Sequence, residues 1–255
     1  QAQWRKNSYL VQFVSEGTVL REYTLSYGDA IPAQEKPTRE GYTFVSWDKN
    51  VPDTVSDENV KNGKLVFQAV WKEIAYTISY DLAGGSLPTG KTNPTTFTIN
   101  SKPMDLVQPK REGYTFEGWS GTDINGKDTQ VTVTARPLKD RTYTANWKEN
   151  SYTIVFNVEG EVTRGEMKNI PLRYTQETTI PKNGYVCGGY KFVGWRTGGK
   201  KSEQKVYQPG DKVSRLCATN NGTVNLYPIW EPCEYTITFD YQTGNKREKV
   251  TCKYK

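Results

Sequence analysis

Gly41-Tyr42-Thr43-Phe44-Val45-Ser46-Trp47 is the stretch that decides the fold, because the pattern GYxFxxW occurs three times in the chain. The other copies run from Gly113 to Trp119 and from Gly189 to Trp195. The remaining tryptophans are each followed five residues later by a tyrosine: Trp4, Trp71, Trp147 and Trp230. Every tryptophan therefore lies in one of two recurring positions, which indicates a tandem array of small repeats. Because the same positions recur in each unit, we predict that the tryptophans lie in the cores of the repeats rather than in a ligand-binding surface.

The closing tryptophans are 67, 76 and 83 residues apart, which sets the length of one repeat. We predict five segments: the tail of a preceding repeat at 1–6, repeats at 7–72, 73–148 and 149–231, and the start of a fourth at 232–255. The chain is thus expected to be part of a longer protein. A unit this small buries only about 60% of its unfolded surface, so it needs bulky aromatic side chains in its core.

Alternation of apolar and polar residues predicts half-buried strands at both ends of a repeat. In two of the opening strands the predicted buried face carries Tyr152, Ile154 and Phe156, or Tyr235, Ile237 and Phe239. Tyr76, Ile78 and Tyr80 share one face of an opening strand, and Asp81-Leu82-Ala83-Gly84-Gly85 supplies a reversal into a second strand near 96–99. Phe67, Ala69 and Trp71 share one face of a closing strand. The best helical candidate is a turn or two at 57–62, so the unit is expected to be mostly β (α+β).

The motif strand contains an irregularity that predicts a bulge. Trp47 is three residues after Phe44, so in a regular strand the two side chains would point to opposite faces. The residue before each motif tryptophan is small: Ser46, Gly118 and Gly194. A bulge at this position would restore the parity and bring both rings into one core.

The junction between repeats keeps its length while the interior of each repeat does not. Each closing tryptophan precedes a core aromatic of the next opening strand by nine residues, as with Trp71 and Tyr80. The two tryptophans within a repeat, by contrast, are 24, 28 and 35 residues apart. A linker such as Lys72-Glu73-Ile74-Ala75 reaches at most about 14 Å. We therefore expect neighbouring repeats to hold a limited range of orientations, and any recognition to reside in the variable loops.

The chain resembles the Listeria-Bacteroides repeat, also known as the B repeat of internalin B. The resemblance lies in four features: the opening strand, Asp81 with Gly84-Gly85, the GYTFxGW motif after a proline, and the closing AxW strand. The resemblance covers essentially the whole chain. It implies tandem ubiquitin-like β-grasp units, bacterial origin and display on the cell surface or secretion. It implies no catalytic residue, because the shared positions are core aromatics and turn glycines.

The sequence contains few candidate residues for catalysis or cofactor binding. The chain contains no histidine, which removes Ser-His-Asp and Cys-His catalysis and histidine metal sites. No phosphate-binding loop or dinucleotide fingerprint occurs. Asp123, Asn125 and Asp128 place oxygen ligands at a spacing like that of a calcium loop, but the later glutamate is missing, so we interpret the segment as a turn. A glycosidase-type carboxylate pair stays open, since 28 acidic residues offer many pairs. We predict no enzyme, and no catalytic, cofactor or metal site.

Charge and cysteines give weaker indications. The net charge is +6, and the most basic stretch is Lys246-Arg247, Lys249, Lys253 and Lys255. We interpret these charges as solvated surface rather than as a nucleic-acid, glycan or cell-wall site. No secretion signal or apolar run of 18 residues is present, so no membrane insertion is expected. In an oxidising compartment Cys187 would pair with Cys217 and Cys233 with Cys252, one of three pairings that four cysteines allow.

Two functional hypotheses follow, with the binding residues unassigned. The first is an extracellular, non-catalytic and monomeric region of a bacterial adhesin whose variable loops bind a host protein or glycan, with the third repeat as the expected contact surface. The second is a stalk that projects another domain from the cell wall as an elongated rod, spanning roughly 90 Å for three units in line. An ancillary module of a secreted enzyme is a further alternative.

Overall fold

A computed structural model describes residues 3–160, 162–198, 203–241 and 247–254. Residues 1 and 2 of the predicted tail, and Lys246 and Lys255 of the basic stretch, lie outside the described residues. The chain divides into two compact units. Unit 1 comprises Gln1–Ser79, Asn93–Leu106 and Val131–Tyr143, and unit 2 comprises Tyr80–Thr92, Val107–Gln130 and Thr144–Lys255.

The first repeat is a four-stranded mixed sheet. Its strands are β1 (Ser8–Ser15), β2 (Thr18–Ser26), β3 (Tyr42–Trp47) and β4 (Lys64–Glu73). They lie in the order β2-β1-β4-β3, with β1 and β4 parallel and the other two pairs antiparallel. The predicted helical segment forms only a 3-10 turn at Asp57–Asn59.

Six strands form in the second repeat: β5 (Tyr76–Asp81), β6 (Thr96–Phe97), β7 (Met104–Asp105), β8 (Tyr114–Gly121), β9 (Thr132–Val133) and β10 (Arg141–Glu149). The main sheet has the order β6-β5-β10-β8, and β7 pairs with β9. The opening strand, its hairpin partner, the closing strand and the motif strand thus follow the same order as in the first repeat. The first two repeats therefore share one sheet order.

The third repeat adds strands to this pattern. Its elements are β11 (Ser151–Phe156), β12 (Val162–Arg164), β13 (Ile170–Arg173), β14 (Thr178–Thr179), β15 (Val186–Cys187), β16 (Tyr190–Thr197), β17 (Val206–Tyr207), β18 (Lys212–Val213) and β19 (Gly222–Pro232). The main sheet has the order β13-β11-β19-β16-β17, again with the opening and closing strands parallel. A hairpin of β20 (Glu234–Asp240) and β21 (Arg247–Lys253) follows.

The predicted bulge is confirmed in the first and third repeats. The register between β3 and β4 shifts between Phe44 and Ser46, and that between β16 and β19 shifts between Phe192 and Gly194. The shift turns the motif phenylalanine and tryptophan toward each other, and the Phe44 and Trp47 ring centroids are 5.2 Å apart. The extra residue predicted from parity is therefore what joins the motif to the core.

Burial of the tryptophans follows their position in the repeat. Trp119 and Trp195 are completely buried, whereas Trp47 is half-buried. The closing tryptophans that follow a motif are half-buried and pack edge-on against its phenylalanine, as Trp147 does against Phe116 at 5.4 Å. The prediction of a core position was wrong for Trp4, which is 91% exposed, because no GYxFxxW motif precedes it to supply that ring.

One expectation concerning the apolar residues of the last segment needs correction. Tyr235, Ile237 and Phe239 were expected on the buried face of a strand, yet all are exposed, because among the described residues β20 pairs with β21 alone. In the repeats the matching strand also pairs with a closing strand. Finally, no helix among the described residues is long and apolar enough to cross a membrane.

The predicted disulfides are not formed, and all four cysteines are free thiols. The Cys217 sulfur packs against Gly222 and lies 3.9 Å from the Thr219 carbonyl oxygen, while Cys187 is buried on β15 opposite Val162. In the terminal hairpin Cys252 lies opposite Tyr235 rather than opposite Cys233. Membership of one repeat was therefore not enough to bring the sulfurs together.

Candidate functional site

One hydrogen bond recurs at the three junctions that follow a GYxFxxW motif. The residue three positions after the closing tryptophan donates its backbone N–H to the carbonyl of the motif glycine. The pairs are Ile74 to Gly41 at 2.9 Å, Asn150 to Gly113 at 2.9 Å and Cys233 to Gly189 at 2.8 Å. Because both groups belong to the backbone, this contact is independent of the side chain at the linker position. It accounts for the fixed length of the junction.

The motif glycines are held by conformation and by contact. Their φ angles are +78°, +75° and +78°, a region that favours glycine. Each also lies against a side chain of the following repeat. A Cβ built on Gly41 would lie 2.8 Å from Ile99 Cβ, and on Gly113 2.0 Å from Tyr174 Cδ1. On Gly189 it would lie 2.4 Å from the Cγ of the tyrosine at position 254. Absence of a side chain thus permits the close approach.

Asn150 is the centre of the second junction. Its side-chain Nδ2 donates to the Ala218 carbonyl at 2.7 Å, and its Oδ1 accepts from the Thr115 hydroxyl at 2.6 Å. Its own carbonyl accepts the N–H of Tyr174 at 2.9 Å. Asn150 is 6% exposed, one of few buried polar side chains among the described residues. It therefore ties the motif strand of the second repeat to two segments of the third.

Carboxylates supply further contacts at the first two junctions. Asn100 Nδ2 donates to Glu73 Oε1 and to the Tyr42 hydroxyl, both at 2.7 Å. Hydrogen bonds from Thr98 and Asn100 hold the pKa of Glu73 below its usual value. At the second junction the Thr175 side chain and backbone N–H both donate to a carboxylate two residues beyond the closing tryptophan. These exposed contacts add mainly geometric definition, because solvent screens surface charge.

An ion pair also crosses the first junction. Arg136 of the second repeat makes a two-pronged contact with Glu40 of the first, with one N–O distance of 2.9 Å. The contact lowers the pKa of Glu40 and raises that of Arg136. Arg39, one residue earlier, stacks on the Tyr42 ring at 3.7 Å, and the matching arginine of the second repeat stacks on its own tyrosine at the same distance. The proline-to-glycine turn before the motif is thus built of interlocking charged and aromatic groups.

A second candidate region surrounds Trp47 in the first repeat. Two cavities of about 560 and 390 Å³ both have Ala33, Gln34 and Trp47 in their walls. Phe13 and Tyr23 add aromatic surface to the larger one. The matching tryptophans of the other repeats are completely buried, so this opening distinguishes the first repeat.

The 123–128 segment, compared above with a calcium loop, has turn geometry. In the 123–128 segment Gly126 has φ +82°, and the Asp128 carboxylate accepts the N–H of Gln130 at 2.9 Å, which agrees with the turn interpretation. Within the part of the chain that the structure describes, no group of three or more Cys, Asp or Glu side chains is placed to hold a metal ion. The contacts described above hold neighbouring repeats together.

The sequence located the junctions but not the residues that build them. Its fixed nine-residue spacing marked the linker. Asn150, by contrast, is 35 residues from Thr115 and 68 residues from Ala218, and no periodic pattern connects these positions. The position three after the closing tryptophan holds Ile74, Asn150 and Cys233, so side-chain type gave no signal. The only available signal was the constant distance itself.

Comparison with known proteins gives an independent result. The family model of the Listeria-Bacteroides repeat domain matches residues 9–68, 76–146 and 152–227. A relative in Evansella cellulosilytica that carries the name of a Gly-rich membrane protein is 26% identical over 99% of this chain and 28% of its own length. Internalin H of Listeria monocytogenes is 31% identical over 50% of this chain and 22% of its own length. The chain spans less than a third of the length of these two relatives.

Proposed function

Because the chain belongs to the Listeria-Bacteroides repeat family, we propose that it is a non-catalytic spacer of a bacterial cell-surface or secreted protein, in which the junctions hold successive repeats in fixed orientations. The observation that carries the proposal is the hydrogen bond from the linker N–H to the motif glycine carbonyl, which recurs at 2.8 to 2.9 Å at all three junctions. A flexible tether would have no reason to repeat this contact.

The repeat unit that we propose is a ubiquitin-like β-grasp. Its support is the mixed sheet in which the parallel opening and closing strands lie at the centre, β1 beside β4 and β11 beside β19. A parallel pair requires a crossover connection. Among the described residues that connect β1 to β4, which also include β2 and β3, only Asp57–Asn59 are helical, and they form a single 3-10 turn.

Small-angle X-ray scattering of the full chain tests the spacer. We expect an extended particle, on the order of 90 Å for three units in line. Gly113→Ala should broaden the distribution of distances, since the new methyl would collide with the Tyr174 ring. Gly17→Ala is the matched control, because Gly17 also has positive φ but no atom within 4 Å of the added Cβ. A profile for the unaltered chain that already requires many orientations would refute the spacer.

A second candidate function is adhesion, by binding of a host protein or glycan through the variable loops. The observation that favours it is the opening beside Trp47, which the loops of the other two repeats do not leave at the matching tryptophans. The test is capture of host serum and mucosal components by the full chain, followed by binding of each purified component. If an unrelated protein captured the same components equally well, adhesion would be refuted.

A further inference from the structure

The sheet edge beside the motif tryptophan is occupied in the second and third repeats. In the second, Trp119 N–H donates to the Asp128 carbonyl at 2.7 Å and Asp128 N–H donates back to Trp119 at 2.9 Å. In the third, β17 pairs antiparallel with β16, placing Tyr207 opposite Trp195. Each of these two repeats therefore folds its own chain back along the outer edge of the motif strand.

The first repeat leaves that edge open. Its motif strand β3 ends at Trp47, and the next N–H, that of Asp48, donates inward to the Gln68 carbonyl at 2.8 Å. Since backbone groups alternate in direction along a strand, the N–H and C=O of Trp47 point outward. Among the described residues no strand lies beside β3 on this side. Ser46 is accordingly exposed, whereas Gly118 at the matching position is buried.

Chain length explains the difference. The two tryptophans of the first repeat are 24 residues apart, against 28 and 35 in the others. Both β8 and β16 continue two residues past the tryptophan before the chain returns, and β3 does not. The shorter connection in the first repeat turns away directly, so nothing returns to pair with Trp47.

Side-chain space accompanies the open edge. In the third repeat the ring of Tyr207 packs against the core cluster that contains Trp195. In the first repeat the two cavities of about 560 and 390 Å³ flank Trp47 instead. A strand arriving at this edge would thus find both unpaired backbone groups and room for a large side chain beside an aromatic surface.

We propose that the Trp47 edge of the first repeat binds an extended peptide segment of a partner protein, which adds as an antiparallel strand beside β3 and packs an aromatic side chain against Trp47. The proposal rests on the adhesive function above and is independent of the spacer. A peptide fits better than a saccharide because alternating N–H and C=O groups match the edge in register, and because the chain's own backbone fills the same place in two repeats.

The probe is a peptide with the sequence of residues 203–210, the segment that occupies the equivalent edge of the third repeat. It is titrated into the isotopically labelled full chain while backbone amide resonances are followed by NMR. We expect saturable shifts at Ser46 and Trp47, with the amide of Trp195 unmoved. The same peptide carrying Tyr207→Ala should bind at least about 10-fold more weakly, equivalent to about 1.4 kcal/mol.

A protein variant provides the matched test. Ala33 lines both cavities and is itself exposed, so Ala33→Trp should fill the space without disturbing the fold, and Ala33→Ser should leave it open. We expect Ala33→Trp to weaken peptide binding by at least about 10-fold, and Ala33→Ser to bind the peptide as tightly as the unaltered chain does.

Three outcomes would overturn the proposal: no saturable shift, shifts remote from Ser46 and Trp47, or equal binding by the two Ala33 variants. A host oligosaccharide that shifts the Trp47 amide while the peptide is silent would also overturn it and assign the opening to a glycan. If the peptide fails but a purified host ligand still binds the chain, the adhesive function stands and only this site is refuted.

Discussion

Asn150→Ala should loosen the second junction while leaving the repeats on either side folded. The substitution removes the donor to the Ala218 carbonyl and the acceptor of the Thr115 hydroxyl. Both backbone hydrogen bonds of residue 150 remain possible, because they do not involve the side chain. The change is therefore confined to the side-chain contacts that cross the junction.

The free energy lost at the junction depends on how exposed the two former hydrogen-bond partners of Asn150 are. Thr115 is exposed, so water can replace its lost partner at little cost. Ala218 is half-buried, and a carbonyl left without a donor there costs about 1 to 3 kcal/mol. We take about 2 kcal/mol as the expected loss, which corresponds to about a 30-fold larger population of the opened junction.

Native-state hydrogen exchange measures this quantity directly. The Tyr174 amide, which donates to the Asn150 carbonyl across the junction, should exchange about 30-fold faster in Asn150→Ala. The Asp128 amide, bonded to Trp119 within the second repeat, should keep its rate. Asn59→Ala is the control for loss of an asparagine, since Asn59 is exposed and bonds only locally to Ser56 among the contacts described.

Two results would refute the reasoning. A Tyr174 amide that exchanges within about 3-fold of the unaltered rate would mean that the side chain of Asn150 adds under about 0.7 kcal/mol to the junction. Equal acceleration of the Tyr174 and Asp128 amides would mean that the junction does not open separately from the repeat.

Three other perturbations have defined outcomes. Gly113→Ala should destabilise the second junction by about 2 to 4 kcal/mol through positive φ and overpacking, whereas Gly126→Ala, with nothing near its Cβ, should cost about 1 kcal/mol; denaturant unfolding compares them. Hydrogen bonds from Thr175 lower the pKa of Glu149 in the folded protein. The stabilising contribution of Glu149 is therefore present above pH 4.5 and is lost as the pH falls through the lower folded-state pKa. Glu149→Gln should flatten the acid side of a plot of unfolding midpoint against pH. Burial raises the pKa of Tyr152 in the folded protein. The stabilising contribution of Tyr152 is therefore present below pH 10 and is lost as the pH rises through the higher folded-state pKa. Tyr152→Phe should flatten the alkaline side of the same plot.

Local rules were enough for the repeat and its strands. Period-two alternation predicted the faces of β5 and β11, and the parity of Phe44 and Trp47 predicted the bulge, because both depend only on the direction of side chains along one strand. The same rules failed for β20, whose apolar face is exposed because burial requires partners that alternation cannot supply. They also failed for the cysteines, whose separation depends on how distant segments cross.

Spacing and alternation are properties of neighbouring residues, so they were sufficient to predict a series of repeats with junctions of constant length. The tertiary structure was needed to show that Asn150 joins Thr115 to Ala218, since these residues meet through folding rather than through any local pattern. It alone also distinguished Trp47, which occupies the same motif position as Trp119 and Trp195. The three tryptophans are equivalent in sequence, and what separates them is whether a later segment has the length to return and cover them.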